Sequence, residues 1–369
     1  MKNVKEMLLT GVIGCGNAGS QVADLAQTEG FDCFIINSSI RDMSNVHFTQ
    51  ERMALIGDGR GVGKNRAKSL ENLKMCIKQQ IVNAKVFKDF MENKEVIFIV
   101  SSTGGGTGSG LAPSLLNILQ RMYTNTKFIL VSILPTDAES FDTLENTVGY
   151  MKELSNLNCT YMSYDNNKAS TINGLQEINK QIVEDFKVIR GDYIEDSNTD
   201  AIDENDMRQI ISVPGRLVIG RVENIDSADL VNELLKDSIT NNNYSTDIDD
   251  KGVSVYGVMS SLNTQLAAKF DSNILNIRRE LGEGRLFKNV TRGTTNKVAV
   301  IANGLKMFTK RINDLVDTVY EMKEAMMDQE KNTTEATWMS YDLDVLEPAN
   351  TNNTNDDVIF DLDAFLADL

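Results

Sequence analysis

A run of glycines between a predicted strand and a predicted helix constrains this chain more than any other feature. Residues 101–110 read SSTGGGTGSG and hold five glycines within seven positions. Residues 96–100 are all apolar and predict a buried strand, while residues 111–122 have the pattern of a helix. Glycines let backbone N–H groups converge on one point, and a helix N-terminus adds the positive end of its dipole. The run predicts a phosphate-binding loop rather than a flexible linker, because strand and helix abut it directly.

The composition is that of a globular protein with room for two domains. The chain has 369 residues, of which 41% are apolar, and no apolar run approaches the roughly 18 residues of a membrane span. Four cysteines without metal or disulfide spacing predict reduced thiols in the cytoplasm. The single histidine excludes chemistry that needs two. A net charge of −16 argues against direct binding to nucleic acid.

Strands alternate with helices through the first 170 residues, which predicts a parallel sheet with right-handed crossovers. Ligands in such sheets bind at the carboxyl ends of the strands. We expect the glycine-rich loops at 14–19, 57–65 and 104–110 to lie at those ends. The three loops are therefore predicted to converge on one ligand.

The glycine loops partly resemble two common classes of phosphate-binding motif, the Rossmann fingerprint and the Walker A loop. Gly14-x-Gly16-x-x-Gly19 satisfies the fingerprint of a dinucleotide-dependent Rossmann enzyme, which remains an alternative. That fingerprint expects an acid at the end of the second strand, where Asn37 stands, and it leaves residues 104–110 unexplained. A Walker A loop is not met, because Asn65 follows the Gly-Lys pair at 63–64.

Residues 104–110 match without a mismatch the GGGTGSG loop of the tubulin/FtsZ superfamily, and the chain resembles that family over roughly residues 8–330. The resemblance implies an α/β, tubulin/FtsZ-like fold with a Rossmann-like parallel-sheet GTPase domain. It also implies GTP and GDP as ligands, together with Mg²⁺. The residues that match nucleotide-binding positions of the family are Gly14, Cys15, Gly16, Asn17, Ser20, Asn37, Gly61, Val62, Gly63, Lys64, Gly104, Gly105, Gly106, Thr107, Gly108, Ser109, Glu139, Asn166 and Asn173.

Several of these matches carry a role in the family. Residues 59–65 are similar to a GxGxGxN loop that senses the terminal phosphate, and Glu139 matches a residue that faces the ribose. Asn166 is implied near the base or sugar, and Asn173 is implied to read guanine, since an amide offers both a donor and an acceptor.

One position departs from the family pattern. FtsZ carries a phosphate-holding arginine where this chain has Thr143. We expect Lys64 or Arg60 to compensate for the missing charge.

The resemblance implies that the chain is divided into five parts. They are a GTP-binding domain at 1–170, a central helix at 171–191, a second domain at 192–303, a long C-terminal helix at 304–331 and an acidic tail at 332–369.

An acidic loop follows the predicted central helix. In the family such a loop supplies acids that polarise the attacking water in the active site of the adjacent subunit. Two registers fit: Asn198, Asp200 and Asp203, or Asp203, Asp206 and Arg208. We favour the second register, and Asp203 belongs to both. The alternative interpretation is an acidic helix N-cap. Acids supplied in trans imply a head-to-tail filament, because such a contact does not close.

Within the superfamily the chain looks most like the TubZ branch, whose filaments move plasmid or phage DNA through an adaptor at the C-terminus. An FtsZ-like division GTPase is the alternative, and a GTP-binding regulator that never polymerises is a third. After Lys331 the chain holds nine acids and no Lys or Arg. Apolar residues at 358–369 predict a peptide that orders on a partner, for which we expect a basic DNA-binding adaptor.

Overall fold

The structure is a computed structural model. It describes residues 8–338 apart from 83, 170, 172, 195–201, 228–232, 234–236, 239–251, 269, 271–277, 280–281, 294 and 308. Asp200, Asn198 and the predicted adaptor-binding segment therefore lie outside the described residues. Within the described part, no helix combines the length and the apolar character needed to cross a membrane.

The strands and helices follow the alternation that the sequence predicts. The strands are β1 (Thr10–Cys15), β2 (Asp32–Asn37), β3 (Met53–Leu55), β4 (Val96–Ser102), β5 (Lys127–Leu134), β6 (Thr160–Asp165), β7 (Gly215–Val222), β8 (Val255–Leu262), β9 (Arg285–Arg292) and β10 (Lys297–Leu305). The principal helices are α1 (Gly16–Thr28), α2 (Ile40–Met43), α3 (Arg66–Ile77), α4 (Lys85–Met91), α5 (Gly106–Met122), α6 (Phe141–Leu154), α7 (Gly174–Arg190), α8 (Glu204–Ile211) and the C-terminal helix (Lys310–Trp338).

Ten strands of the described chain form one sheet in the order β3-β2-β1-β4-β5-β6-β7-β10-β8-β9. The first six strands in this order are parallel, and a short parallel pairing of Thr160 with Gly215 joins β6 to β7. β10 then pairs antiparallel with both β7 and β8. The predicted parallel-sheet fold is confirmed, and β7, β10, β8 and β9 continue the same sheet.

Helices cover both faces of the parallel part, so its strands are apolar throughout rather than alternating. Val12 of β1 belongs to the core beneath α1 and α7, while the next residue, Ile13, belongs to the core beneath α3, α4, α5 and α6. This alternation follows from the two-residue period of a strand. The arrangement leaves the ends of the strands as the open edges where loops can meet.

Two helices correspond to parts of the predicted domain organisation, and the sequence located one of them better than the other. α7, at Gly174–Arg190, lies within the predicted central helix at 171–191, and Gly191 follows it as a left-handed C-cap with a φ of 100°. The C-terminal helix begins at Lys310 instead of the predicted 304, because β10 continues through Leu305. The apolar residue Leu305, which the helical spacing included, is therefore a buried strand residue.

Candidate functional site

A cleft of about 630 Å³ lies at the carboxyl ends of β1 and β4. Its size is within the range of small-molecule pockets. Three chain segments predicted to converge do so here, together with the loop before α6. The cleft is lined by Cys15, Gly16, Asn17, Ala18, Ser39, Arg41, Asp42, Gly59, Arg60, Gly61, Val62, Gly63, Lys64, Ser102, Gly104, Gly105, Gly106, Thr107, Gly108, Glu139 and Thr143.

Two helices begin at this cleft without a protein cap. α1 starts at Gly16 after Cys15, and α5 starts at Gly106 after Gly105; neither cap residue offers a side-chain hydrogen bond. Neither helix has an acidic residue in its first turn. The first N–H groups of both helices are thus left without a carboxylate or hydroxyl acceptor from a cap, and both dipoles favour negative charge. A phosphate group fits this arrangement.

Part of the predicted phosphate loop is helical. Residues 106–110 form the first turn of α5, whereas the sequence predicted a loop through Gly110 and a helix from 111. The glycines in this segment allow close contact between backbones. A Cβ on Gly108 would lie 2.7 Å from the carbonyl oxygen of Cys15, and one on Gly110 would lie 2.5 Å from that of Arg66. Only glycine lets the helix approach these backbones.

The loop before α3 packs across the start of α5. A Cβ on Gly106 would lie 2.7 Å from Cα of Lys64 and 2.8 Å from Cγ2 of Val62. Gly61 and Gly63 have φ values of 79° and 58°, which glycine adopts readily, and Gly63 has no neighbour within 4 Å of a Cβ position. The loop therefore presents open backbone to the cleft.

Lys64 extends from this loop to the position where the family arginine is absent. Its ammonium donates to Thr143 Oγ1 at 2.6 Å and to Ser140 Oγ at 2.8 Å. Asn146 Nδ2 donates to the Lys64 carbonyl oxygen at 2.8 Å and holds the backbone in place. Ser140 and Thr143 begin α6, so Lys64 places a positive charge at the start of a third helix.

The charges lining the cleft differ in sign from the chain as a whole. Arg41, Arg60 and Lys64 line it against Asp42 and Glu139, in a protein of net charge −16. Cys15 also lines it, but burial raises the pKa of its thiol well above the usual range. The thiol is therefore neutral and unreactive at ordinary pH. The local excess of cations favours an anionic ligand.

Several sequence-predicted residues build the cleft from behind and do not line it. Asn37 is fully buried, and its Oδ1 accepts from the N–H groups of Ser38 and Ser39 at 2.8 and 3.2 Å. Ser20 and Ser109 are buried and donate to the carbonyl oxygens of Gly16 and Gly105. Gly14 is also behind the surface, because a Cβ there would collide with the backbone of Gly19.

Asn166 and Asn173 lie on neighbouring segments outside the set that lines the cleft. Asn166 begins a 3₁₀ turn after β6 and is half-buried, whereas Asn173 is exposed at the start of α7. The two segments touch, since a Cβ on Gly174 would lie 2.6 Å from that of Ala169. Their roles toward a base stay predictions.

The acidic residues Asp203 and Asp206 form a capping box at the start of α8. Asp206 N donates to Asp203 Oδ1 at 2.8 Å, and Asp203 N donates to Asp206 Oδ2 at 3.3 Å. The interpretation as a helix cap is therefore correct for the local structure. Asp203 is exposed and Asp206 is half-exposed, so both carboxylates also face solvent.

α8 lies at the amino ends of the strands, opposite the cleft. Arg208 forms an ion pair with Glu95, the residue before β4. Thr160, the first residue of β6, donates its hydroxyl to the carbonyl oxygen of Ile211 at 2.7 Å. β4 is seven residues long, so about 20 Å of sheet separates the two edges.

Sequence analysis did not identify several of the residues at the site, among them Ser39, Arg41, Asp42 and Arg311. Ser39, Arg41 and Asp42 follow β2, and their position after a strand in the parallel sheet was an available signal. Arg311 contacts the loop that carries Glu139, and no local pattern indicates a contact between segments so far apart in the chain.

Among the described residues, no group of three or more His, Cys, Asp or Glu side chains could hold a metal ion.

The fold and the cleft define a class: a parallel-sheet α/β protein whose cleft, between helix N-termini and glycine loops, suits a phosphate-bearing ligand. Residues 10–174 match the sequence profile of the tubulin/FtsZ family GTPase domain. The resemblance drawn from residues 104–110 is thereby confirmed.

Two groups of tubulin-like proteins, CetZ and TubZ, have similar sequence identity to this chain. The tubulin-like protein CetZ of Pyrococcus furiosus is 26% identical over 214 residues, which cover 55% of this chain and 58% of the relative. The tubulin-like protein TubZ of Clostridium botulinum C phage is 26% identical over 209 residues, covering 55% and 57%. The matched region thus spans little more than half the length of these relatives.

A solved structure extends the likeness to most of the chain. The protofilament of Bacillus thuringiensis serovar israelensis TubZ in its GTPγS form superposes with a TM-score of 0.71 at 17% identity. The superposition covers 89% of this chain and 95% of the other. At this identity the likeness establishes a tubulin-like fold.

Proposed function

We propose that this chain binds and hydrolyses GTP and assembles head to tail into filaments. The amino ends of α1 and α5 would hold the phosphates, with Lys64 and Arg60 supplying positive charge. Mg²⁺ would be held chiefly by the phosphate oxygens and would neutralise their charge. Guanine would be read by Asn173.

The observation that carries this proposal is the placement of the cleft and of α8 on opposite edges of one sheet. Asp203 and Asp206 are about 20 Å of strand away from the cleft of their own chain. Stacking two chains head to tail would bring the α8 edge of one chain onto the cleft of the next. The protofilament of the B. thuringiensis relative supports this mode of assembly.

Carboxylates near a triphosphate repel it, so the acids are expected to act on the attacking water. Asp203 and Asp206 would orient that water and accept its proton, a contribution worth about 10²–10⁴-fold in rate. Because the water would be activated only at a contact between subunits, hydrolysis would follow assembly. A heterologous contact of this kind propagates without closing.

The experiment that tests the proposal is sedimentation of the full chain with GTP, GDP, ATP or NAD, together with measurement of phosphate release. We expect pelleting and hydrolysis with GTP alone, and a hydrolysis rate per subunit that rises with protein concentration. Equal pelleting with ATP would contradict the assignment of Asn173. Binding of NAD without pelleting would favour the dinucleotide-dependent enzyme instead.

We further propose that the filaments partition plasmid or phage DNA, as the TubZ resemblance implies. Residues 339–369 hold eight acids, no Lys or Arg and several large apolar residues, a composition suited to a basic partner such as a DNA-bound adaptor. Deleting residues 350–369 should leave hydrolysis and filaments intact. It should abolish binding to a basic helix-turn-helix DNA-binding protein, if the gene beside this one encodes such a protein. Loss of filaments in the deletion would instead make the segment part of the filament contact.

A further inference from the structure

Arg311, in the first turn of the C-terminal helix, joins two loops beside the cleft. Its Nε donates to Asp165 Oδ2 at 2.8 Å, and its Nη2 donates to the Pro135 carbonyl oxygen at 3.0 Å. Its Nη1 forms an ion pair with Asp137. One guanidinium thus satisfies acceptors from the β5–α6 loop and from the end of β6.

Both loops carry residues that we assign to the nucleoside half of the ligand. The β5–α6 loop contains Glu139, which lines the cleft, and Asn166 directly follows Asp165. The loops also bond to each other, since Asp137 N donates to Asn167 Oδ1 at 3.0 Å and Asn167 Nδ2 donates to Asp137. Arg311 closes this set of contacts from the side of the C-terminal helix.

The geometry suits arginine in particular. The Arg311 side chain is 16% exposed and its partner Asp165 is 4% exposed, so the pair is only weakly screened by water. A planar guanidinium presents its donors in fixed directions and can satisfy three acceptors at once. The ammonium of a lysine is a point charge and cannot hold both loops in the same way.

Anchoring of the C-terminal helix does not explain these contacts. The helix is held on the body by Leu315 and Val319, which pack against Leu144 of α6, and by buried Ile312. Arg311 instead reaches beyond α6 to the loops. Its guanidinium therefore sets the position of the loops relative to the helix.

We propose that Arg311 is a positioning residue that makes the C-terminal helix part of the nucleoside-binding half of the cleft. It holds Glu139 and Asn166 in register for the sugar and base and leaves the phosphate half, built by α1 and α5, unaffected. This inference rests on the proposed function. By thermodynamic linkage, any contact that shifts the C-terminal helix changes nucleoside affinity, and bound nucleoside biases the helix equally.

The test compares two ligands that share phosphates and differ in the nucleoside. Dissociation constants for GTP and for inorganic tripolyphosphate are measured for the full chain and for Arg311→Gln, Arg311→Lys and Arg190→Gln. Arg190 is the matched control, because it forms a similarly buried pair with Asp192 at the far end of α7. We expect Arg311→Gln to weaken GTP binding about tenfold or more and tripolyphosphate binding less than about twofold. Arg311→Lys should be intermediate for GTP.

Asp137→Asn provides a second variant that keeps the fold, since the Asp137 side chain is 60% exposed. It should weaken GTP binding selectively in the same direction. Unchanged GTP affinity in Arg311→Gln, or equal weakening for both ligands, overturns the positioning role and leaves the proposed function intact. Failure of the unmodified chain to bind GTP overturns the proposed function, and the inference with it.

Discussion

The Lys64 ammonium and the Thr143 hydroxyl lie 2.6 Å apart at the mouth of the cleft, so a lysine on one loop reaches the position where FtsZ has an arginine. The residues are far apart in the sequence and are brought together by the close contact of the α3 loop with α5. The positive charge expected at this position is therefore present, carried by a different segment.

Replacement of Lys64 by Gln should weaken binding of GTP about tenfold, because a charge-assisted contact to phosphate is removed. The melting temperature should be almost unchanged, since the side chain lies at the surface. Isothermal calorimetry with GTP provides the measurement. Lys68→Gln, on the exposed side of α3, is the control; similar losses in both variants would indicate a general charge effect.

Gly106→Ala should lower the free energy of unfolding by about 1–3 kcal/mol and weaken nucleotide binding. The added Cβ would lie 2.7 Å from Lys64 Cα and force the loop away from α5. Gly105→Ala is the matched control, because its nearest neighbour is 4.0 Å away and its φ is −74°. Denaturant titration of both variants measures the difference, and equal stability would contradict the close-contact role.

The sequence predicted the convergence of the glycine loops because that outcome depends on a general rule. Parallel strands place their carboxyl ends on one edge, so the loops after β1, β3 and β4 must meet there. The helical first turn of α5 was not predicted, because a run such as residues 104–110 has poor helix propensity. Packing against Lys64 and Cys15 overrides that propensity.

Contacts between distant segments lay beyond sequence reasoning. Arg311 is one charge among many on a helix with an ordinary amphipathic pattern, and only the folded chain shows its contact with Pro135 and Asp165.

The acidic loop after α7 could be interpreted from the sequence in two ways. Its pattern suited both a catalytic loop and a helix cap, and Asp203 and Asp206 do form the cap. The catalytic role of these two acids stays a prediction.

The free energy of unfolding should fall as the pH rises from about 4 to about 6, through a contribution of at most about 3 kcal/mol from Asp185. Burial raises the pKa of this carboxyl from 3.8 to about 6, although Arg221 and Tyr164 favour its ionised form. The folded chain thus binds the proton more tightly than the unfolded chain, so the stabilisation is complete below pH 4 and lost above pH 6. Asp185→Asn should flatten this slope in denaturant titrations across the range. An unchanged slope would assign the dependence to other groups.

Asp203→Asn and Asp203→Ala should separate the cap from catalysis. Asparagine is as good an N-cap as aspartate, so Asp203→Asn should keep its stability, whereas Asp203→Ala should lose about 1 kcal/mol. Both variants should bind GTP normally and hydrolyse it about 100-fold more slowly or worse. Phosphate release and thermal melting give the two readouts. Normal hydrolysis by Asp203→Asn would restrict the residue to its role as a cap.

A mixture of two defective chains should recover hydrolysis if the acids act on a neighbour's nucleotide. Asp206→Asn keeps an intact cleft and lacks an acid, while Lys64→Gln has a weakened cleft and intact acids. The GTP concentration is chosen so that only the Asp206→Asn chains bind GTP. In mixed filaments, the intact acids of a Lys64→Gln chain would then lie against the GTP bound by a neighbouring Asp206→Asn chain. Phosphate release by the equal mixture should then exceed the sum of the separate chains.

The control for this complementation is a mixture of Asp206→Asn with Asp203→Asn, in which both chains lack an acid and no recovery is expected. Sedimentation should show that both mixtures form filaments, so that the comparison isolates the active site. Rates that are simply additive in the Lys64→Gln mixture would mean that each chain uses its own acids. Such a result would conflict with the roughly 20 Å of strand between α8 and the cleft and would require a large rearrangement of the chain.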